Sequence, residues 1–187
     1  MTINLKHGDC LELMKDIPDK SIDMILCDLP YGTTDAKWDI IIPFEDMWDR
    51  ILSVITENAP IILFGTEPFS SKLRLSRPDL YRYDWYWQKD NGSNFLFGNK
   101  MPMKVIETAS VFYAKQPIYN PQKIANPKGE SKNWLSYHKR NNTDLAKTLF
   151  KSMPPKPCRG KSYEPDKLLP KNLVYFAREH RDKVHPT

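Results

Sequence analysis

Residues 22–65 constrain the fold more than any other stretch of the chain. Pro43 opens a segment with apolar residues at Phe44, Met47, Trp48, Ile51, Leu52 and Ile55. That spacing, i, i+3, i+4, i+7, i+8, i+11, is one face of an amphipathic helix, and proline suits a first helical position. Two apolar runs flank it, Ile22 to Cys27 before and Ile61 to Phe64 after, the second ending at Gly65. Short apolar runs of this kind read as strands of a sheet covered on both faces. A strand, a crossover helix and a strand make a parallel α/β unit.

Weaker signals fill in the rest. Ile3 to Lys6 alternates like a short strand, and Asp9 with Glu12 three residues on is a helix-start pattern for Cys10 to Lys15. Glu67 to Leu75 is expected to be helical, stopped near Pro78. Tyr81 to Gln88 and Ser110 to Ala114 are aromatic-rich strand candidates, joined by a loop with Asn91, Gly92, Asn94, Gly98 and Pro102. Such a pair is expected to run antiparallel at a sheet edge. Leu173 to Phe176 is a last strand candidate.

At 187 residues the chain can bury a core of one domain. No apolar run approaches the ~20 residues of a membrane span, and Met1 to Cys10 lacks the apolar core of a signal peptide, so a cytoplasmic protein is expected. Cys10, Cys27 and Cys158 are odd in number and widely spaced, which argues against a disulfide framework or a cysteine zinc site, and no metal is expected. The net charge of +5 is uneven. Lys115 to Lys161 holds eleven Lys or Arg against Glu130 and Asp144, a balance of +9 that leaves −4 for the rest. This segment is rich in proline, has little periodicity beyond Asp144 to Lys151, and interleaves Tyr119, Trp134, Tyr137 and Phe150 with its charges. Basic residues mixed with aromatics suit a surface that grips phosphates and bases, with Lys139, Arg140, Arg159 and Lys161 as candidate DNA contacts.

The chemistry concentrates at Asp28-Leu29-Pro30-Tyr31-Gly32. In open α/β sheets, ligands bind just outside the carboxyl ends of the strands, and these residues follow the first predicted core strand. An exocyclic amine such as N6 of adenine is a poor nucleophile because its lone pair is delocalised into the ring. The Asp28 carboxylate can accept one of its N–H bonds and the Leu29 carbonyl, its direction set by Pro30, the other. Tyr31 offers a flat face, and base–aromatic stacking is worth about 1–3 kcal/mol per base. That helps offset the few kcal/mol needed to flip a base out of a duplex.

The tetrapeptide Asp28 to Tyr31 resembles the (Asp/Asn/Ser)-Pro-Pro-(Tyr/Phe/Trp) signature of S-adenosylmethionine-dependent amino-methyltransferases, with Leu29 where the first proline usually stands. Glutamine-modifying protein methyltransferases share the signature, but there a Gly-rich cofactor loop and about two strands come first. Only 27 residues precede Asp28, with Gly8 their sole glycine. The order here is similar to that of the β-class DNA methyltransferases: catalytic motifs, target recognition, then cofactor motifs. Lys104-Val105-Ile106-Glu107 and Val111-Phe112-Tyr113 also resemble the family, in which a histidine often stands where Ile106 is. Lys183-Val184-His185-Pro186-Thr187 resembles the start of its cofactor-side motif, His-Pro-Thr-Gln-Lys-Pro, and no Phe-x-Gly-x-Gly loop occurs in the sequence.

The resemblance implies a Rossmann-like methyltransferase sheet, mostly parallel with an antiparallel edge: a catalytic half over residues 1–114, a basic target-recognition insertion over 115–164, and a final strand with the start of the cofactor motif over 165–187. It implies S-adenosyl-L-methionine as cofactor, with Asp9, Cys10, His185 and Thr187 on the cofactor side. Double-stranded DNA is the implied substrate. The activity it implies is N6-adenine methylation of DNA, as in restriction-modification systems and phages, with N4-cytosine as the alternative target. The missing glycine loop implies either a C-terminal part or partner chain that supplies it, or a DNA-binding remnant.

Overall fold

A computed structural model describes residues 2–125 and 167–176. The chain divides into two compact units, Met1–Tyr119 with Asn172–Thr187, and Asn120–Lys171. Within the second, Ile124–Ala125 (β5) pairs antiparallel with Lys167–Leu168 (β6). The predicted helix at Asp144 to Lys151 lies outside the described residues.

The first unit is α/β. In chain order it contains Cys10–Leu13 (α1), Ile25–Asp28 (β1), Phe44–Val54 (α2), Ile61–Gly65 (β2), Phe69–Ser76 (α3), Tyr81–Ser93 (β3), Lys104–Phe112 (β4) and Leu173–Tyr175 (β7). They build a five-stranded sheet in the order β1-β2-β4-β3-β7. β1 and β2 are parallel, β4 is antiparallel to both β2 and β3, and β7 is parallel to β3. Four strands therefore run one way and β4 runs against them.

The reversed strand lies inside the sheet rather than at its edge. Ala109, Ser110, Val111 and Phe112 are all buried, and a strand end with no solvated face is best accommodated between two neighbours. Ile3 to Lys6 forms no strand; Ile3 and Leu5 are exposed and no described strand lies beside them. The run starting at Ile22 contributes a single bridge to Ile55 before β1 begins at Ile25.

α2 and α3 fill one face of the sheet. Met47, Trp48 and Ile51 of α2, with Phe69 and Leu73 of α3, pack with Ile61, Leu63, Leu80 and Phe112. Trp48 meets Phe112 edge-on at 5.0 Å, and its indole N–H donates to Ser76 Oγ at 2.8 Å, so the one polar atom of the ring is satisfied. Gly65 permits α3 to start close to β2, since a Cβ there would come within 2.5 Å of Ser70 Oγ. Among the described residues the opposite face, expected to be covered as well, is open: Leu26 is exposed, and Phe64, Trp85, Trp87, Val174 and Phe176 line an apolar hollow of about 470 Å³.

Candidate active site

Asp28 is the last residue of β1, and the chain turns away from the sheet immediately after it. Leu29 is buried in the helix-covered core, which pins the backbone between the carboxylate and Pro30. A leucine here anchors by packing where a proline would anchor by stiffness. Tyr31 rests on the same core, its ring 5.3 Å from that of Phe69, which in turn lies 5.8 Å from Phe44. Its hydroxyl donates to Asp28 Oδ1. Burial, then the bond to Asp28, pushes the Tyr31 phenol well above its ordinary pKa, so it remains a donor at any working pH. Asp28 Oδ2 takes no hydrogen bond among the described residues, and Asp28 is exposed.

The loop that follows is held by a residue sequence reasoning missed. Asp39 is buried, and its carboxylate accepts from the backbone N–H groups of Gly32 (2.8 Å), Thr33 (2.8 Å) and Thr34 (2.7 Å) and from Thr34 Oγ1 (2.8 Å). The Thr34 hydroxyl, aided by the three amides, lowers its pKa from 3.8 to about 2. Such a carboxylate is the hub of the loop. Gly32 has φ +66°, and a Cβ there would meet Ile41 at 3.0 Å, so both conformation and space call for glycine. The available signal was Gly-Thr-Thr followed by an aspartate within a few residues, a pattern for side-chain-to-backbone bonding.

The cofactor-side candidates split. Asp9 caps α1, its Oδ1 accepting from Leu11 N–H at 2.8 Å and Glu12 N–H at 3.3 Å. Its Oδ2 takes no hydrogen bond among the described residues. Burial raises the pKa of the Cys27 thiol, and the electrostatic effect of Cys10 raises it further. His185, Thr187, Lys139, Arg140, Arg159 and Lys161 lie outside the described residues. No cluster of His, Cys, Asp or Glu among the described residues could hold a metal.

A second charged pair stands on the same face of the sheet as Asp28. Register places Asp28 opposite Phe64, Phe64 opposite Ala109, and Glu107 two residues nearer the carboxyl edge. Glu107 forms a half-buried ion pair with Lys89 and acts electrostatically on Tyr31.

No family model and no curated protein matches the chain. Among solved structures, it is similar to the PvuII DNA methyltransferase (cytosine-N4-specific), at 13% identity and a TM-score of 0.49, over 94% of this chain and 57% of that one. It is also similar to M1.HpyAVI in complex with SAM, at 18% identity and a TM-score of 0.42, over 67% of this chain and 61% of that one. The chain spans about three fifths of the length of these two structures.

Proposed function

We propose that this chain carries the acceptor-base site of an S-adenosylmethionine-dependent DNA methyltransferase acting on N6 of adenine. The observation that supports this best is Asp28 at the carboxyl end of β1, with one oxygen fixed by Tyr31 and the other open to a ligand. A bonded Oδ1 sets the rotamer of the carboxylate. The open Oδ2 then accepts one N–H of the amine while the Leu29 carbonyl accepts the other, which favours a tetrahedral nitrogen with its lone pair directed outward. As the nitrogen lone pair bonds to a donated methyl carbon, whose bond to sulfur would break with its electron pair going to sulfur, positive charge would develop on that nitrogen beside the carboxylate, which stabilises it. One amine proton then leaves along the hydrogen bond already made to Asp28, restoring a neutral product.

The residues present fit one end of the methyl donor. Asp9, with Oδ2 open, and the Cys10 backbone would hold its adenosine end beside β1, and when bound it supplies the electrophilic methyl group. For its carboxylate end the sequence has no Gly-x-Gly segment to offer. The chain's own contribution is to align and to stack. An aspartate that accepts from two donors, the Tyr31 hydroxyl and the amine N–H, needs no metal and no covalent intermediate.

Two variants test the reading in an assay of labelled methyl transfer to duplex DNA. Asp28→Ala is expected to lower the rate by roughly 10²-fold or more, the scale of losing one preorganised electrostatic contact. Tyr31→Phe keeps the stacking face and loses the bond that orients Asp28; a drop of roughly 10- to 100-fold is expected, since hydrogen bonds to charged groups are worth about 1.5–3 kcal/mol. A wild-type rate in Asp28→Ala rules the assignment out.

A further inference from the structure

The hairpin joining β3 to β4 ends in large apolar side chains that point into solvent. Phe95, Leu96 and Phe97 form a 3-10 turn and are 75%, 79% and 49% exposed; Met101 and Met103 beside them are each about half exposed. Among the described residues Phe95 and Leu96 are left about three-quarters uncovered, yet the backbone beneath is tied by four hydrogen bonds. Asn94 adopts the left-handed conformation at φ +67°, Phe97 N–H donates to the Asn94 carbonyl, Gly98 N–H to Phe95, and the N–H groups of Lys100 and Met101 both to Phe97. Gly92 lets the two strands close tightly, because a Cβ there would lie 2.5 Å from that of Met103. An exposed apolar tip on an ordered base has already met the entropic cost of being held out.

Register fixes where the tip stands. Asp28 is level with Ala109 of β4, and the last paired residues of the hairpin are Ser93 and Lys104. Five residues of antiparallel strand separate those levels, so the hairpin overhangs the Asp28 site by about 17 Å. It does so on the carboxyl edge of the sheet, where Asp28 lies. From Asn91 to Ile106 there is no acidic residue, and Lys100 and Lys104 flank the tip. Apolar side chains with cations around them match a DNA duplex, whose base steps accept Phe, Leu and Met wedges and whose phosphates accept lysine.

We infer that Phe95, Leu96 and Phe97 are a wedge that enters the base stack and fills the space left by the extruded adenine. This rests on the reading of Asp28 as the acceptor site, since a base can reach that carboxylate only by leaving its stack. Lys100 and Lys104 hold the adjoining phosphates. Loss of the wedge raises the cost of extrusion, and loss of the lysines weakens binding to any sequence.

A binding comparison tests this without a known recognition sequence. The 187-residue chain is titrated with a 30-base-pair duplex and with the same duplex carrying one tetrahydrofuran abasic site. The wild type should bind the abasic duplex several-fold tighter, because the gap is already open. The triple variant Phe95→Ala, Leu96→Ala, Phe97→Ala, and to a lesser degree Leu96→Ala alone, should bind both equally while keeping the wild-type salt slope. Lys100→Gln with Lys104→Gln should keep the abasic preference and reduce the slope of log affinity against log salt by about 1.8. Equal affinities for the wild type, or a preference surviving in the triple variant, overturn the wedge. So does light scattering that shows a wild-type dimer and a triple-variant monomer with the abasic preference unchanged, which would make the tip a self-association surface. Abasic preference lost in the triple variant as expected, but methyl transfer unaffected by Asp28→Ala, would sink the Asp28 reading and with it the adenine, leaving only a tip that enters the base stack.

Discussion

Two loops leave the carboxyl edge of one sheet, and they are built in opposite ways. The loop after β1 turns its polar groups inward, three amides and a hydroxyl converging on the buried Asp39, and leaves little beyond the Asp28 carboxylate to react. The hairpin after β3 turns its apolar groups outward from a backbone that satisfies itself. A site that positions an amine needs fixed acceptors, whereas a surface that enters a base stack needs hydrophobic area. Substitutions should therefore cost stability in the first loop and contact in the second.

The largest difference should appear on truncating a leucine in each. Leu29→Ala removes a core side chain and is expected to cost about 2–5 kcal/mol in denaturant titration. Leu96→Ala should change stability by less than about 0.5 kcal/mol, as exposed positions do. Equal losses would erase the contrast. Next, Asp39→Ala should loosen Gly32 to Thr34 and slow methyl transfer by up to about 10²-fold, a misplacement effect on a group that never touches substrate. Asp39→Asn keeps one acceptor oxygen and should fall between that variant and the wild type; kinetics that separate kcat from KM should show the loss in kcat. Gly32→Ala forces a side chain into the left-handed region against Ile41, with an expected cost of about 1–2 kcal/mol.

Acid provides a milder probe of the same loop. The folded pKa of Asp39, about 2, lies below its ordinary 3.8, so its contribution is present above pH 4 and is lost as pH falls through about 2. Amide exchange at Gly32, Thr33 and Thr34 should stay slow at pH 4 and rise toward pH 2 in the wild type. In Asp39→Asn it should show no such step.

The contrast also explains what could be read in advance. α2 and β2 followed from periodicity because burial on one face writes itself into every third or fourth residue, or into a continuous run. The place of Asp28 at the end of β1 was legible because the apolar run stops there and Pro30 and Gly32 follow. Asp39 was not, since its role depends on the chain folding back by five to seven residues onto three backbone amides that any residues could supply. β3 and β4 proved longer than expected. Asn91 and Gly92 signal a turn locally, yet cross-strand pairing carries the ladder on to Ser93 and Lys104. The place of β4 between β2 and β3 is a tertiary choice, made by the burial of Ala109 to Phe112, that no local pattern encodes.

The central claim is that the open oxygen of Asp28 receives the amine of an extruded adenine. Its most direct test is the product itself: the protein is expressed in cells lacking other DNA methylation, and the genomic DNA is digested to nucleosides for mass spectrometry. N6-methyladenine with the wild type, and none with Asp28→Ala, is the predicted result. Unmodified DNA from the wild type, N4-methylcytosine in place of N6-methyladenine, or N6-methyladenine that persists with Asp28→Ala would contradict it.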